Sequence, residues 1–329
     1  LAKEALVADQ FALTGAHRSL AQAPSPLALI TDRIFFVIAT LGALGLIGLV
    51  GFIVYEIGRQ AVPAISHSGL GFLTNTTWDV QKGEFGILPQ IWGTLYSSLL
   101  ALLIGGFVGV TIAVFLTQDF MPARVSVVFR TLIEMLAAIP SVVFGLWGIF
   151  VVIPFLRPIA NVLHDTFPGV PFFSTSLSGP GLLPAVIVLA IMILPTVAAI
   201  SQDAIGLVPY KIKEAAYGMG TTRWEAILKV ILPTASAGIS SALVLGFGRA
   251  LGETMALAML IGNSNQISLS LFSPANTLAA LLASNFPEAA QTERQALMYA
   301  ALVLLAITLI VNVLGTLILV WNSRKLGKA

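Results

Sequence analysis

The chain has 329 residues, 57% of them hydrophobic and only 10% charged, with 17 Lys+Arg against 15 Asp+Glu for a net charge of +2. Ordinary soluble domains carry about 25% charged residues, so this composition belongs in a bilayer; the near-neutral balance, with no basic cluster interleaved with aromatics, argues against a nucleic-acid partner. There is no cysteine, which removes disulfides, thiolate metal sites and cysteine nucleophiles, and His17, His67 and His164 lie too far apart to suggest a metal site.

Crossing a hydrocarbon core takes about 20 apolar residues. Six stretches are long enough: 34–57, 92–116, 127–155, 182–205, 235–261 and 296–321. An all-α, polytopic membrane protein follows. Residues 1–33 form a tail, with PSP at Pro24 to Pro26 as linker. The first stretch starts late and no A-x-A-like site follows it, which argues against a cleaved signal peptide. Gly42, Gly45, Gly48 and Gly51 open a groove on it. After an outer loop, 58–91, the second span carries Gly105 and Gly109, a GxxxG spacing that permits close backbone approach where no hydrophobic force draws helices together. Pro140 in the third span and Pro195 in the fourth each remove a helix hydrogen bond and favour a kink. Glu134, with Arg130 one turn before it near the cytoplasmic edge, is expected to be structural or gate-related, together with Pro140 and Ser141. Asn312 in the last span is an expected interhelical hydrogen-bonding residue.

Between the fourth and fifth spans lies the polar insertion 203–233, which reads as helix–turn–helix. Pro209 begins the first short helix, and Gly218 and Gly220 end it. Thr222-x-x-Glu225 is a capping box for the second, which Pro233 is expected to terminate or kink. Ala215, Ala216 and Tyr217 give the first helix a small, close-packing face suited to a soluble partner's groove; a loop lying on lipid headgroups is the plainer alternative. The fifth span contains GRALGETM (248–255). A charge at mid-membrane costs about 2.5–3.5 kcal/mol on insertion scales. Arg249 and Glu253, one helical turn or roughly 6 Å apart, are expected to pair and reduce that cost, although arginine before glutamate is the weaker order. Gly248 and Gly252 place close helix contact beside them. The outer loops 58–91 and 263–295 are too long for simple turns, and the apolar stretch 277–286 is too short to span, so a re-entrant or surface helix is expected there.

With the N-terminus inside, the inner segments hold twelve of the Lys+Arg residues and the outer loops four (Arg59, Lys82, Arg157, Arg294), Arg249 being within a span. By the positive-inside rule both termini are cytoplasmic, and the even number of spans agrees. The expected organisation is a tail (1–33), a first transmembrane helix (34–57), an outer loop (58–91), a core of five helices (92–321) containing the cytoplasmic loop 203–233, and a tail (322–329). No G-x-x-x-x-G-K-[ST] occurs, so the chain has no phosphate-cradling loop for ATP.

Glu214-Ala215-Ala216, three residues, Gly220, nine residues and then Val230-Ile231-Leu232-Pro233 resembles the EAA loop of bacterial ABC importer permeases, departing only in Val230 for isoleucine. IEMLAAIPS (133–141), GLWG (145–148), Trp78-Asp79, Gly93-Thr94-Leu95 and above all GRALGETMALAMLIGN (248–263) are similar to the C-type permease subunit of phosphate-specific ABC importers, over most of 72–319. The partner A-type subunit carries a looser form of the last motif. The resemblance implies a type I ABC importer permease fold in the bacterial inner membrane. It implies a coupling loop, through Glu214, Ala215, Ala216, Gly220, Leu232 and Pro233, that docks onto ATPase subunits. The implied partners are a second homologous permease, two ATP-binding subunits and an extracytoplasmic phosphate-binding protein touching Trp78 and Asp79, unless Trp78 is buried in its own loop. No cofactor is expected on this chain, which is not itself an enzyme; ATP and Mg belong to the partner ATPases. An arginine such as Arg249 suits an anion path, because its planar fork holds phosphate oxygens bidentately and sheds water more easily than lysine. Glu253 would hold the guanidinium when phosphate is absent. Competing expectations are a purely packing ion pair, a permease for sulfate or molybdate, an ion-coupled carrier using Arg249 and Glu253 as a relay, and a structural anchor.

Overall fold

In lipid, a helix is the open-ended segment that satisfies its own backbone N–H and C=O groups, and the computed structural model of this protein is helical almost throughout. It describes residues 25–118 and 120–326. The tail through residue 24, with Lys3 and Arg18, and residues 327–329, with Lys328, lie outside the described residues. The chain divides into two units, Leu1–Glu56 and Ile57–Ala329.

Helix α1 (Pro26–Ser68) is exposed at every residue from Pro26 to Ile53. It ends at Gly69, whose φ of 52° suits glycine. A short α2 (Gly71–Thr74) leads to a two-residue antiparallel ladder of β1 (Trp78–Asp79) and β2 (Glu84–Phe85), with Trp78 opposite Phe85. Helix α3 (Leu88–Thr117) is followed by α4 (Ala123–Ala138), α5 (Ser141–Trp147), a π turn (Gly148–Val152) and α6 (Ile153–Thr166). Beyond a 3-10 turn (Pro171–Phe173) come α7 (Leu182–Gly206), α8 (Tyr210–Gly218) and α9 (Arg223–Ala226). A second π turn (Ile227–Ile231) joins α9 to α10 (Leu232–Leu251), and α11 (Met255–Leu260), α12 (Leu278–Asn285) and α13 (Gln291–Leu326) complete the chain. Among the described residues, 6 helical segments are long and apolar enough to cross a membrane: Pro26–Ser68, Leu88–Thr117, Ser141–Thr166, Leu182–Gly206, Arg223–Leu251 and Gln291–Leu319.

The number of crossings is the expected one, but several boundaries move. Helix α1 overruns 34–57 at both ends, because nothing but Pro63 interrupts helical backbone between Pro26 and Ser68. The expected third span, 127–155, is not one helix. A proline disfavours helical backbone in the residue before it; Ile139 is accordingly extended (φ -72°, ψ 128°), and a new helix starts at Ser141 with the Pro140 carbonyl accepting the Val143 and Phe144 amides. The third crossing is therefore Ser141–Thr166, and α4 stands apart with Val127, Val128, Leu132 and Met135 exposed. Pro195, by contrast, sits inside an unbroken α7. Pro233 does not terminate its helix either. Both π turns immediately precede a helix whose second residue is proline, Pro154 or Pro233. A proline ring crowds the carbonyl four residues back, and widening the preceding turn by one residue relieves that clash while the helix continues.

Helix α7 is the most enclosed of the six, with buried residues from Leu182 to Ile205. It packs on α3 through the expected glycines: a Cβ at Gly105 would lie 2.6 Å from the Ala190 carbonyl oxygen, and one at Gly109 would lie 3.1 Å from Val197. A Cβ at Gly42, Gly45, Gly48 or Gly51 meets nothing within 4 Å among the described residues. Asn312 is not the hydrogen-bonding residue expected. Its Oδ1 lies 3.1 Å from where a Gly248 Cβ would stand, and no side-chain hydrogen bond forms there among the described residues, since glycine offers no side-chain partner. The 277–286 stretch forms α12, capped by the Thr277 hydroxyl, which accepts the Ala280 amide at 3.1 Å. Leu278 to Leu281 are buried, so it is an interior rather than a surface helix.

The tightest backbone approach is at Gly93, where a Cβ would lie 1.9 Å from the Asn276 carbonyl oxygen. Gly93→Ala should therefore destabilise the protein by about 1–3 kcal/mol, the usual range for overpacking. Gly58→Ala, inside α1 and meeting nothing within 4 Å, should not destabilise it and should raise stability by up to about 1 kcal/mol, since alanine is the better helix former. Thermal unfolding of the purified protein followed by tryptophan fluorescence checks both.

Candidate functional site

Arg249 lies in the last turn of α10 and is exposed, reaching across to α7, where Nη1 donates to the Thr196 hydroxyl at 3.1 Å. Thr196 is 14 residues from one end of α7 and 10 from the other, about 21 and 15 Å at 1.5 Å per residue. The guanidinium is therefore held at the middle height of the bundle. It carries no carboxylate partner among the described residues.

The expected pairing with Glu253 is not made. Helix α10 stops at Leu251, Gly252 is its C-cap, and α11 starts only at Met255. The one-turn relation between residues 249 and 253 requires continuous helix, and the break removes it. Glu253 instead turns to α11, where Oε1 accepts the Ala256 amide at 3.4 Å. The glycine pair is also divided: Gly248 packs on Asn312, whereas a Cβ at Gly252 would come no nearer than 3.8 Å to another group. Arg130 and Glu134 do pair, Nε to Oε1 at 3.0 Å. They are 55% and 60% exposed, so the pair contributes only a few tenths of a kcal/mol. With Gln202 and Asp203 of α7 they line a small cavity at the end of the bundle that leads to α8. Pro140 and Ser141 mark the break between α4 and α5.

The 203–233 insertion folds as helix–turn–helix. Thr222 and Glu225 make both halves of the expected capping box, and Gly220 adopts φ 80°, a conformation that costs other residues about 1–2 kcal/mol. Ala216 and Ala226 are buried in the hairpin, whereas Glu214, Ala215 and Tyr217 face outward. Leu232 packs with Ala113, Val114, Ile205, Val208, Ile227 and Ile231 in a cluster that seats the hairpin on α3 and α7. The motif did not single out Arg223, yet Arg223 clasps the hairpin to the bundle. Its guanidinium lies 4.2 Å from the Phe120 ring centre and donates to the Gln118 carbonyl, and Trp224 packs on the same ring at 5.3 Å. Leu207, Tyr210 and Met219 remain 82%, 72% and 79% exposed, an apolar surface at the end of the bundle.

Trp78 is engaged by its own loop and by the last helix, and Asp79 by its own turn. Trp78 packs edge-on against Phe85 at 4.9 Å, and its indole N–H lies 3.4 Å from Glu293 Oε1. Asp79 Oδ1 accepts the Gln81 and Lys82 amides. The Lys82 amide holds this carboxyl below the usual carboxylate range, with a smaller contribution from Gln81.

Residues 108–328 match the family model described as "Binding-protein-dependent transport system inner membrane component". The chain is 41% identical over 273 residues to the phosphate transport system permease protein PstC of Haemophilus influenzae, covering 80% of this chain and 85% of that protein. The chain belongs to the PstC family. The PstC of Xylella fastidiosa is 40% identical over 275 residues, covering 82% of this chain and 84% of its own length, and that of Mesorhizobium japonicum is 36% identical over 304 residues, covering 91% and 93%. Among solved structures, a chain of a bacterial alginate ABC transporter aligns with a TM-score of 0.59 at 17% identity, over 88% of this chain and 96% of that one. A chain of the MetNI methionine ABC transporter, solved in inward-facing conformations, aligns with a TM-score of 0.53 at 17% identity, over 72% and 95%. At that identity the likeness concerns the fold: PstC-family sequence here takes an ABC-importer permease fold.

If Arg223 and Phe120 hold the hairpin, Arg223→Ala and Phe120→Ala should each speed amide hydrogen exchange across residues 210–226 and leave α7 protected. Unaltered exchange in both variants would remove the clasp as the anchor.

Proposed function

We propose that this chain is the C-type membrane subunit of an ATP-driven importer and, with a second homologous permease, encloses the path by which inorganic phosphate crosses the bacterial inner membrane. Arg249 carries this proposal. A guanidinium that stays ionised, held at mid-height on an exposed face with one neutral hydroxyl as its partner, is costly against lipid. It is accommodated where a second subunit and a hydrated path meet it. Phosphate fits: its oxygens accept the guanidinium's parallel N–H groups. One arginine does not balance a dianion, so the partner permease supplies a second cation across a pseudo-two-fold axis. The names of the relatives favour phosphate over sulfate or molybdate, which competition in uptake assays distinguishes. Glu253, turned to the α11 amide, stabilises the helix break and places a negative charge near the path that discourages a lingering anion. An ion-coupled relay through Arg249 and Glu253 has no geometric support.

Both termini lie in the cytoplasm, following the Lys and Arg distribution. The α8–α9 hairpin then faces the cytoplasm, and the exposed Leu207, Tyr210 and Met219 beside Glu214, Ala215 and Gly220 form the surface that receives two ATPase subunits, which bind ATP and Mg. An extracytoplasmic phosphate-binding protein delivers the anion to the outer loops. Trp78 and Asp79 shape those loops and contribute to that contact through them.

Arg249→Lys keeps the charge without the fork and should lower phosphate uptake by about tenfold or more, since a hydrogen bond to a charged group contributes about 1.5–3 kcal/mol; Arg249→Gln should abolish it. Thr196→Val, which removes the tether, should fall between them. All three should still co-purify the ATPase. Wild-type uptake by Arg249→Gln in reconstituted vesicles would rule out the path. Gly220→Val should show the reverse pattern: normal membrane insertion, with the ATPase lost on purification.

A further inference from the structure

We propose that the groove between α3 and the α9–α10 segment is a site for one anionic phospholipid, its acyl chain along the groove and its phosphate at Arg223. The groove encloses about 550 Å³. One wall is α3 from Leu102 to Phe115; the other begins at Trp224 and continues along α10 as far as Leu243. The walls close on each other at Gly106, where a Cβ would lie 2.8 Å from the Leu243 side chain. Thr111 supplies the one hydroxyl of the lining, and it donates to the Phe107 carbonyl at 2.8 Å. The walls therefore offer a water too few polar partners to hold it. The end beside the hairpin differs. Phe115 and Trp224 both pack on the Phe120 ring, at 5.0 and 5.3 Å, and the Arg223 guanidinium lies over that same ring at 4.2 Å. A cation thus stands at the mouth. One of its five N–H groups donates to the Gln118 carbonyl, and it makes no ion pair among the described residues. Glu225, the nearest acid in sequence, is bonded instead to Thr222 and Lys229.

Length and charge together select the occupant. Leu102 and Phe115 are 13 residues apart, about 20 Å of helix, and one leaflet with its headgroups is about 20–22 Å deep. The groove starts at mid-height on α3 and ends at the hairpin, so it has the length of a single leaflet. A neighbouring transmembrane helix crosses both leaflets, and a free anion gains nothing from apolar walls. An acyl chain fills the walls and carries its phosphate to the level of Arg223 and of the Trp224 indole, a pairing suited to the membrane interface. An anionic headgroup is preferred to a zwitterionic one, whose own ammonium competes for the phosphate. The bound lipid touches α3 and the hairpin at once and braces one against the other. That the leaflet is the cytoplasmic one rests on the orientation proposed above; the groove and its cation do not.

The test uses the whole transport complex from nanodiscs of phosphatidylglycerol and phosphatidylcholine, with retained lipids counted by native mass spectrometry. Wild type should retain phosphatidylglycerol in excess. The double variant Leu103→Trp, Val110→Trp fills the groove and should lose one retained lipid per copy of this chain. Arg223→Gln should lower the excess of phosphatidylglycerol over phosphatidylcholine about fivefold, the usual effect of one basic residue at a membrane surface. A hairpin merely loosened by that change would lose both lipids alike, which would overturn the headgroup assignment and the proposal with it. A second readout needs no variant: phosphatidylglycerol carrying a diazirine on its acyl chain should label residues 102–115 and 224–243 of the wild-type chain well above α1. Labels spread evenly over the exposed apolar surface, or an unchanged lipid count in the filled variant, overturn the proposal. So does a filled variant that sheds the second permease while its lipids stay, since the groove then seats a protein helix. Neither readout involves phosphate transport, so this site and the Arg249 path can each fail alone.

Discussion

The close crossing of α3 and α7 is the contact on which the rest of the protein depends. Lipid gives helices no hydrophobic reason to associate, so the two must gain from dispersion at short range. Gly105 and Gly109 provide it by letting α7 backbone approach α3 to within a Cβ's reach. Three candidate features hang on α7. Its middle presents Thr196 to Arg249, its C-terminal half borders the Arg130–Glu134 cavity, and its end continues into the α8–α9 hairpin. A looser α3–α7 contact would move all three together.

Much of this was legible from residue order. Six apolar runs give six crossings, the Gly105–Gly109 spacing gives a helix contact, and Thr222 with Glu225 gives a capped helix start. Each rests on interactions within a few residues along the chain, or on bulk hydropathy. The helix breaks are less legible, because the same residue has opposite outcomes. Pro140 ends a helix, Pro195 is carried inside one, and Pro154 and Pro233 follow π turns that absorb their bulk. Whether neighbouring turns yield is decided by tertiary packing, which no local pattern encodes.

The candidate site divides in the same way. Arg249 stands out by charge in an apolar run, and the structure holds its guanidinium against Thr196, near the middle of α7. Its partner did not stand out, because Thr196 is one of many hydroxyl residues and lies 53 positions away. Glu253 is not in a helix but in the break between α10 and α11, because Gly252 is compatible both with close packing and with a helix end. Arg223 and Phe120 were missed for a third reason: they join two segments about a hundred residues apart, and neither belongs to the EAA motif. Trp78 and Asp79 carry the motif, yet they are already engaged, Asp79 by the amides of its own turn and Trp78 by Phe85 and by Glu293 of α13.

The passage from α9 to α10 contains no loop. From Arg223 to Leu251 the backbone stays helical, the π turn at Ile227–Ile231 being its single irregularity. Arg223 and Arg249 are thus opposite ends of one rod, 26 residues or about 39 Å long. A loop would dissipate a push from the hairpin surface in backbone torsions, whereas a helix resists axial compression and passes the displacement along its length. The π turn is the compliant element of that rod, and it lies beside the hairpin, far from the guanidinium. Mechanical slack is therefore confined to the end where force enters, and the charged end moves with its stretch of α10 as a stiff body.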